Sequence, residues 1–458
     1  MAQLVPIPFW LETAEARSSA VSGERLRNWY VEKSPEGAKS PLALYPTPGL
    51  SLQVAVGDGP IRGIGRVGSL LYVVSGSKLY TVTSTLTVTE IGDIANTGSV
   101  RMTNNETHVV ICTTNHAYAA NEDGVVTLPE SNLNGAAYQD GYGLYTQAGT
   151  QFLWWSDLDD LTAIGGTNFT SADAHDGTVV GVVSDHREVW VFKDRSAEIF
   201  YNDGATPFVR SQAGFIERGC LAPGSIAKVL NAVIWLGDDY NVHLAGGHQP
   251  KPISPPWVVK AIEGQSSPQT AEAFTYSQDG HTFYVLTFSG LTLCYDMTMG
   301  RWHERLSSGC DRWRAQCHCS IWGKEIVGDY ANGNLYALDL ETYDDNGEHI
   351  RREAISAPVH AGGNRAFMHE FFVDLQPGVG LVSGQGDDPD LIVDWSDDGG
   401  NTWSNERHVK IGAVGEYGTQ ARTYRCGSFR SRQMRIAVTD PVKVVVLGGF
   451  AQLEGGLT

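Results

Sequence analysis

Short runs of β-branched and aromatic residues, each broken by Gly, Asp or Asn, keep returning along the chain. They include LLYVVSGSKLYTV from Leu70, HVVICTTNHAYAA from His108, YGLYTQAGTQFLWW from Tyr142 and REVWVFKDRSAEIFY from Arg187. AVIWLGDDYNVHLA from Ala232, HTFYVLTFSGLTLCYD from His281 and KEIVGDYANGNLYALD from Lys324 continue the series. This is the composition of strands joined by tight turns. The runs start about 35 to 50 residues apart, close to the length of a four-stranded propeller blade. Six or seven such units fit between Gly57 and Leu340. A single blade cannot bury both of its faces. Packing blades around an axis buries them and leaves only short edges open. No strict motif marks each unit, and a stack of unrelated β-domains is the competing expectation.

Helical signal is thin. ERLRNWYVEK, residues 24–33, is expected to form a turn or two of helix, and no longer stretch keeps a helical period. SPEGAKSPLALYPTPGL, rich in Pro and Gly, reads as an extended connector. After YDDNGEHIRRE the pattern changes to alternation, as in FMHEFFVDLQ, LIVDWSD, RQMRIAV and VKVVVLGGF, which fits an antiparallel sandwich. The expected fold class is therefore all-β: a β-propeller of about six or seven irregular blades with an additional antiparallel β-sandwich-like C-terminal domain. The expected divisions are an N-terminal extended segment and connector (1–56), the propeller-like repeat domain (57–345) and the C-terminal β domain (346–458).

Composition narrows the function classes. Acidic residues outnumber Lys and Arg by 52 to 33, a formal net charge of −19. Sequence-independent nucleic-acid binding runs on cations that neutralise phosphates, so that class is disfavoured. An acidic chain can still surround DNA, because repulsion keeps the two from sticking. No apolar run approaches the roughly 20 residues that span a bilayer. The first residues, MAQLVPIPFWLETAEARSS, lack the basic and apolar regions of a secretory leader. The seven cysteines (112, 220, 294, 310, 317, 319 and 426) are odd in number and irregular in spacing, which reads as free thiols rather than a disulfide framework.

One local motif bears on chemistry. Ser396, Asp398, Gly400, Thr402 and Trp403 fit S-x-D-x-G-x-T-W, the Asp-box hairpin common in sialidases. In such a turn the Asp accepts hydrogen bonds, Gly399 and Gly400 supply positive φ, and the Trp plugs the hairpin base. SQDGHTFY, residues 277–284, is a related turn. A sialidase also needs a triad of arginines on its substrate carboxylate. The spacing of Arg187, Arg210, Arg218, Arg301, Arg351 and Arg352 singles out none, so the box is expected to be structural. Cys310, Cys317, His318 and Cys319 lack the second pair of a zinc site. In a strand, Cys317 and Cys319 would face one side and His318 the other. The acidic loops 156–162, 343–348 and 386–390 match no calcium-loop pattern and read as solvated turns. No G-x-S-x-G, HExxH or phosphate-binding Gly-rich loop occurs. The expectation is a non-enzyme without cofactor or metal; a glycan-binding or glycan-cleaving protein built on the Asp box is the alternative.

NWYVE, SPLALYPTPGL, YTQAGTQF, SDHREVWVF, FIERGCLAPGSIAK and DGHTFYVLTF, followed by RWHER, RAQCH, VGDYANGNLYALD, WSDDGGNTWSNE and VTDPVKV, carry a resemblance when taken in order. The chain resembles the packaged-DNA-stabilising tail hub (tail accessory, or nozzle) proteins of short-tailed bacteriophages and related prophages. The resemblance covers about Asn28 to Val446. It implies a β-rich virion protein of the tail, assembled in the host cytoplasm as a homohexameric ring below the portal and its head-to-tail adaptor. Such a ring would extend the DNA channel, help retain the genome, let DNA pass at ejection, and anchor tail fibres, a spike or a needle. No catalytic residue transfers with it.

Overall fold

The computed structural model describes residues 3–7, 9, 12–15, 22–95, 98–205 and 207–456. Residues 1, 2, 8, 10, 11 and 16–21 of the N-terminal segment, including part of MAQLVPIPFWLETAEARSS, lie outside them. Among the described residues the regular structure is almost entirely strand, with one helix longer than a single turn, Pro256–Glu263. The helix was not expected from sequence. Its apolar side, Trp257, Val258 and Ile262, closes the gap between two blades.

Among the described residues, seven four-stranded antiparallel blades form the propeller, five as separate sheets and two as parts of larger ones. Six are built from consecutive strands, beginning at Ile61–Val67, Arg101–Asn104, Leu133–Gln139, Val179–Asp185, Ala227–Val229 and Glu272–Gln278. These are blades one to six, each counted from its innermost strand. Blade seven takes three strands from Ala315–Ile321, Lys324–Asp329 and Asn334–Asp339. Its outermost strand, Gly49–Ala55, comes from before blade one. One hydrophobic core lies between each pair of neighbouring blades. Blade one meets blade two at Tyr72, Val74 and Ile111, and the series closes where Ile61 and Val73 of blade one meet Ile326 and Leu335 of blade seven. A seventh core between the last and first blades is what makes the ring complete. The driving force is the burial of both faces of every sheet, at about 25 cal/mol per Å² of apolar surface.

Each run singled out in the sequence is the central hairpin of a blade. LLYVVSGSKLYTV supplies Leu70–Ser75 and Lys78–Val82, and KEIVGDYANGNLYALD supplies Lys324–Asp329 and Asn334–Asp339. These central strands are covered on both faces, so their residues are apolar on both, without alternation. The innermost strands are quieter because they need small residues. A Cβ on Gly63 would meet Val100 at 2.8 Å, and one on Gly181 would meet Ile226 at 2.6 Å. Glycine there lets neighbouring blades converge on the axis.

The second unit is a sandwich. One sheet is built on Trp29–Lys33, Leu42–Pro46, Val446–Gly455, Ala366–Leu375 and Ala421–Tyr424, with Gln3–Ile7 along its edge. The other contains Gly23–Arg27, Arg352–Ile355, Ser431–Val438, Asp390–Ser396 and Arg407–Lys410. Between them lie Trp29, Phe371, Leu391, Met434 and Val446. The second sheet runs on into blade six, where Gly23–Arg27 lies beside Arg301–Glu304.

Residues 1–56, expected as an extended segment and connector, thus carry strands of both units. ERLRNWYVEK forms two strands instead of a helical turn. Burial alternates along Gly23–Arg27, Trp29, Tyr30 and Val31 are all buried, and Asn28, at φ 55°, breaks the run between them. The Asn28 side chain donates to the carbonyls of Leu306 and Arg351, both at 2.9 Å, and accepts from the Leu306 N–H. Beside it Arg27 pairs with Glu304 and Glu353. One short segment therefore holds the propeller and the sandwich in a fixed relation.

Candidate functional site

The Asp box lies in the loop between Asp390–Ser396 and Arg407–Lys410, at one end of the sandwich. The Ser396 hydroxyl donates to Asp398 Oδ1 at 2.7 Å and accepts the Gly400 N–H at 2.8 Å. The Thr402 N–H donates to Asp398 Oδ1 at 2.9 Å, and its hydroxyl to Oδ2 at 2.6 Å. Gly399 and Gly400 take φ of 72° and 88°, as the turn requires. Trp403 is half-buried, with the Arg435 guanidinium 4.1 Å from its ring centre. Both carboxylate oxygens of Asp398 are thus engaged inside the turn. Those bonds hold its pKa down, at about 2.

The arginines around the box are committed to neighbours. Arg432 forms a bidentate pair with Asp397, at 2.7 and 2.8 Å, between the rings of Trp395 and Phe429. Arg435 pairs with Asp394, and Arg407 binds Thr423 and the Tyr424 carbonyl. The six arginines considered from sequence are dispersed. Arg187 and Arg210 belong to blade four, and Arg218 pairs with Asp238 and Asp239 before blade five. Arg301 pairs with Glu12, Arg351 with Glu353 and Glu406, and Arg352 is buried below Tyr343. They do not converge.

Asp398 carries a pH prediction. Its folded pKa lies below the usual carboxylate value of about 3.9, so its contribution is complete above that value. It is lost as pH falls through about 2. Hydrogen exchange in the segment 396–404 is expected to accelerate, relative to the rest of the sandwich, between these two values. Asp398→Asn should already exchange faster at neutral pH and should lose this acid step. Unchanged protection in the variant would show that the carboxylate does not hold the turn.

The remaining sequence candidates resolve as follows. Cys317 and Cys319 pack toward the core between blades seven and one, while His318 lies on the other side, over Phe274 and bonded to Glu325. All seven cysteines are free thiols. In the acidic loops, Asp160 caps Thr162, and Lys410 bridges Asp388 and Asp390. In the loop 343–348 Asn346, Gly347 and Glu348 are exposed, as expected of a solvated turn, and Asp345 departs from that expectation. Asp345 is buried, accepts the Ser307 hydroxyl at 2.6 Å, and has its pKa pushed up to about 6 by burial.

The feature that sequence reasoning missed is the propeller axis. Arg101, on the innermost strand of blade two, reaches Glu272 at the start of blade six. Its two nitrogens donate to the two carboxylate oxygens at 2.7 and 3.1 Å. The 3₁₀ turn Pro223–Ser225 packs against this pair, and a Cβ on Gly224 would lie 2.3 Å from Arg101 Nη2. Cavities of about 410 and 520 Å³ flank the crossbar, both lined by Arg101 and Pro223. No local motif announces it, because its two ends lie far apart in the chain.

Known proteins fit this geometry. A family model described as the bacteriophage P22 Gp10 β-propeller matches residues 26–343, and one described as the Gp10 β-sandwich matches residues 351–454. The chain belongs to the Gp10 family. It is a Gp10-like structural protein of the phage tail, and the family places it in the virion. No curated protein matches the sequence. Among solved structures, the computationally designed Ika8 protein is 10% identical, with a TM-score of 0.41, over 63% of this chain and 99% of its own. PorZ of the Porphyromonas gingivalis type-IX secretion system is 13% identical, with a TM-score of 0.40, over 78% of this chain and 46% of its own. The Pan2 WD40 domain of Neurospora crassa is 11% identical, with a TM-score of 0.40, over 61% of this chain and 89% of its own. None of the three bears on what the chain does.

Proposed function

We propose that this Gp10-like protein is a non-enzymatic tail hub that assembles as a ring below the portal adaptor. There it continues the DNA channel, retains the packaged genome and anchors fibres, a spike or a needle. The closed propeller axis carries this reading. The Arg101–Glu272 crossbar leaves chambers sized for small molecules, not for a duplex. A DNA conduit made from this chain must therefore be enclosed between several copies. The net charge of −19 supports a lumen that DNA passes without adhering.

The ends of the sandwich support head-to-tail contact between copies. At one end the exposed Leu381, Val382, Val414 and Tyr417 stand beside Asp387 and Glu416. At the other end exposed Phe367 and Tyr424 stand beside Arg365, Arg425 and Arg430. Two unlike, complementary patches on one molecule are what a heterologous ring contact uses.

The test uses DNA-filled heads that carry portal and adaptor but lack this protein. Adding the purified protein is expected to place a six-fold ring at the portal vertex, seen by electron microscopy, and to slow DNA loss. Bare adaptor rings with DNA escaping as before would refute the hub reading.

A further inference from the structure

We propose that the 520 Å³ chamber at one mouth of the propeller axis is a binding site for a multiply charged oxyanion, phosphate or polycarboxylate in type. It opens where the innermost strands begin, and Arg62, Arg101, Arg312, Glu272, Gln316 and Tyr330 are among the residues that line it.

The first ground is charge. Arg312 is within electrostatic reach of two carboxylates, Glu272 and Asp329. Each already has a closer arginine: Arg101 holds Glu272, and Arg314 holds Asp329 at 2.9 Å. Among the described residues, the chamber lining holds three arginines, Arg62, Arg101 and Arg312, and one carboxylate, Glu272, in a chain of net −19. The partners of Arg62 include the backbone carbonyls of Gly76, Ala95 and Gly98, which hold its fork in place.

The second ground is preorganisation. Arg312 lies 4.3 Å from the centre of the Tyr330 ring, and its fork is tied to Gln316 Oε1 at 2.5 Å and the Trp313 carbonyl at 3.3 Å. Arg101 is fixed by Glu272, and its Nε is buried without a hydrogen-bond partner. Planar guanidinium forks held in place match the oxygens of carboxylates and phosphates, and little side-chain entropy is left to lose. The chamber's size admits a small anion or one acidic side chain.

Calorimetric titration at low salt tests this with three probes: inorganic phosphate, citrate and a tetraglutamate peptide. Binding of phosphate or citrate identifies a free-ion site, whereas binding of the peptide alone identifies a seat for a partner's acidic side chain. In either case Arg312→Gln is expected to weaken binding about tenfold, the loss of one charge-assisted hydrogen bond. Glu272→Gln is expected to tighten it, since it removes a competing carboxylate and frees Arg101. The proposal is overturned by the absence of binding for all three probes, or by equal affinities in Arg312→Gln and the unmodified chain. If Glu272→Gln does not fold, the Arg312 arm decides by itself.

Discussion

A chain lacking Gly49–Ala55 is expected to lose cooperative folding of the propeller. This strand lies along Asn334–Asp339 and is the outer edge of blade seven, so it ties the beginning of the ring to its end. Leu50 is fully buried with Tyr336, Val327 and Leu338 in the core between blades six and seven. Without the strand, the edge of Asn334–Asp339 is left unpaired, which is a template for aggregation. That core also loses one wall. The milder variant Leu50→Ala isolates the packing contribution and should cost about 2–5 kcal/mol. Thermal melting followed with limited proteolysis gives the reading. A deletion that stays soluble and melts at the parental temperature would show that the ring does not depend on this closure.

Glu198→Ala is expected to destabilise the chain by about 3–5 kcal/mol, the usual result of leaving one charge of a buried pair without its partner. Lys193 and Glu198 flank the central turn of blade four, and both are fully buried. Lys193 Nζ donates to the Ala172 carbonyl at 2.8 Å and to the His175 carbonyl, and stands 3.5 Å from Glu198 Oε1. Glu198 also accepts the Ala174 N–H at 3.1 Å and lies 2.9 Å from Arg210 Nε. The pair thereby pins the link between blades three and four. Removing the carboxylate leaves the ammonium buried without its counter-charge and frees the segment 172–175. Replacing both residues, as Lys193→Met with Glu198→Leu, should recover much of the loss, because two well-packed apolar groups carry no desolvation penalty. Chemical denaturation of the single and double variants measures both effects. A single variant within 1 kcal/mol of the parent would mean that solvent reaches the ammonium once the carboxylate is gone.

The central hairpins could be found from composition alone because a strand covered on both faces must be apolar on both. All seven quoted runs carry that mark. The inner strands escaped notice for the opposite reason, since Gly63, Gly65, Gly135 and Gly181 replace bulk with closeness. The Asp box was readable because its bonds stay between Ser396 and Thr402, within hydrogen-bond reach along the chain. Asp345 was misread for want of that locality. Its burial follows from partners remote in sequence, Ser307 and the strand at Leu50, which no neighbouring residue announces.

Local pattern is therefore enough for the all-β class, the repeat length, the turn chemistry of residues 396–403 and the acidic balance. Each of these depends on residues adjacent in sequence or on a sum over all of them. Folding decides the blade count, because the seventh blade is completed by Gly49–Ala55 from the other end of the ring. It also decides the sharing of residues 23–33 between the two units and the crossing of the axis by Arg101 and Glu272. These depend on partners remote in sequence, whose approach is set by how closely neighbouring sheets pack, and packing distance leaves no periodic trace in a linear chain.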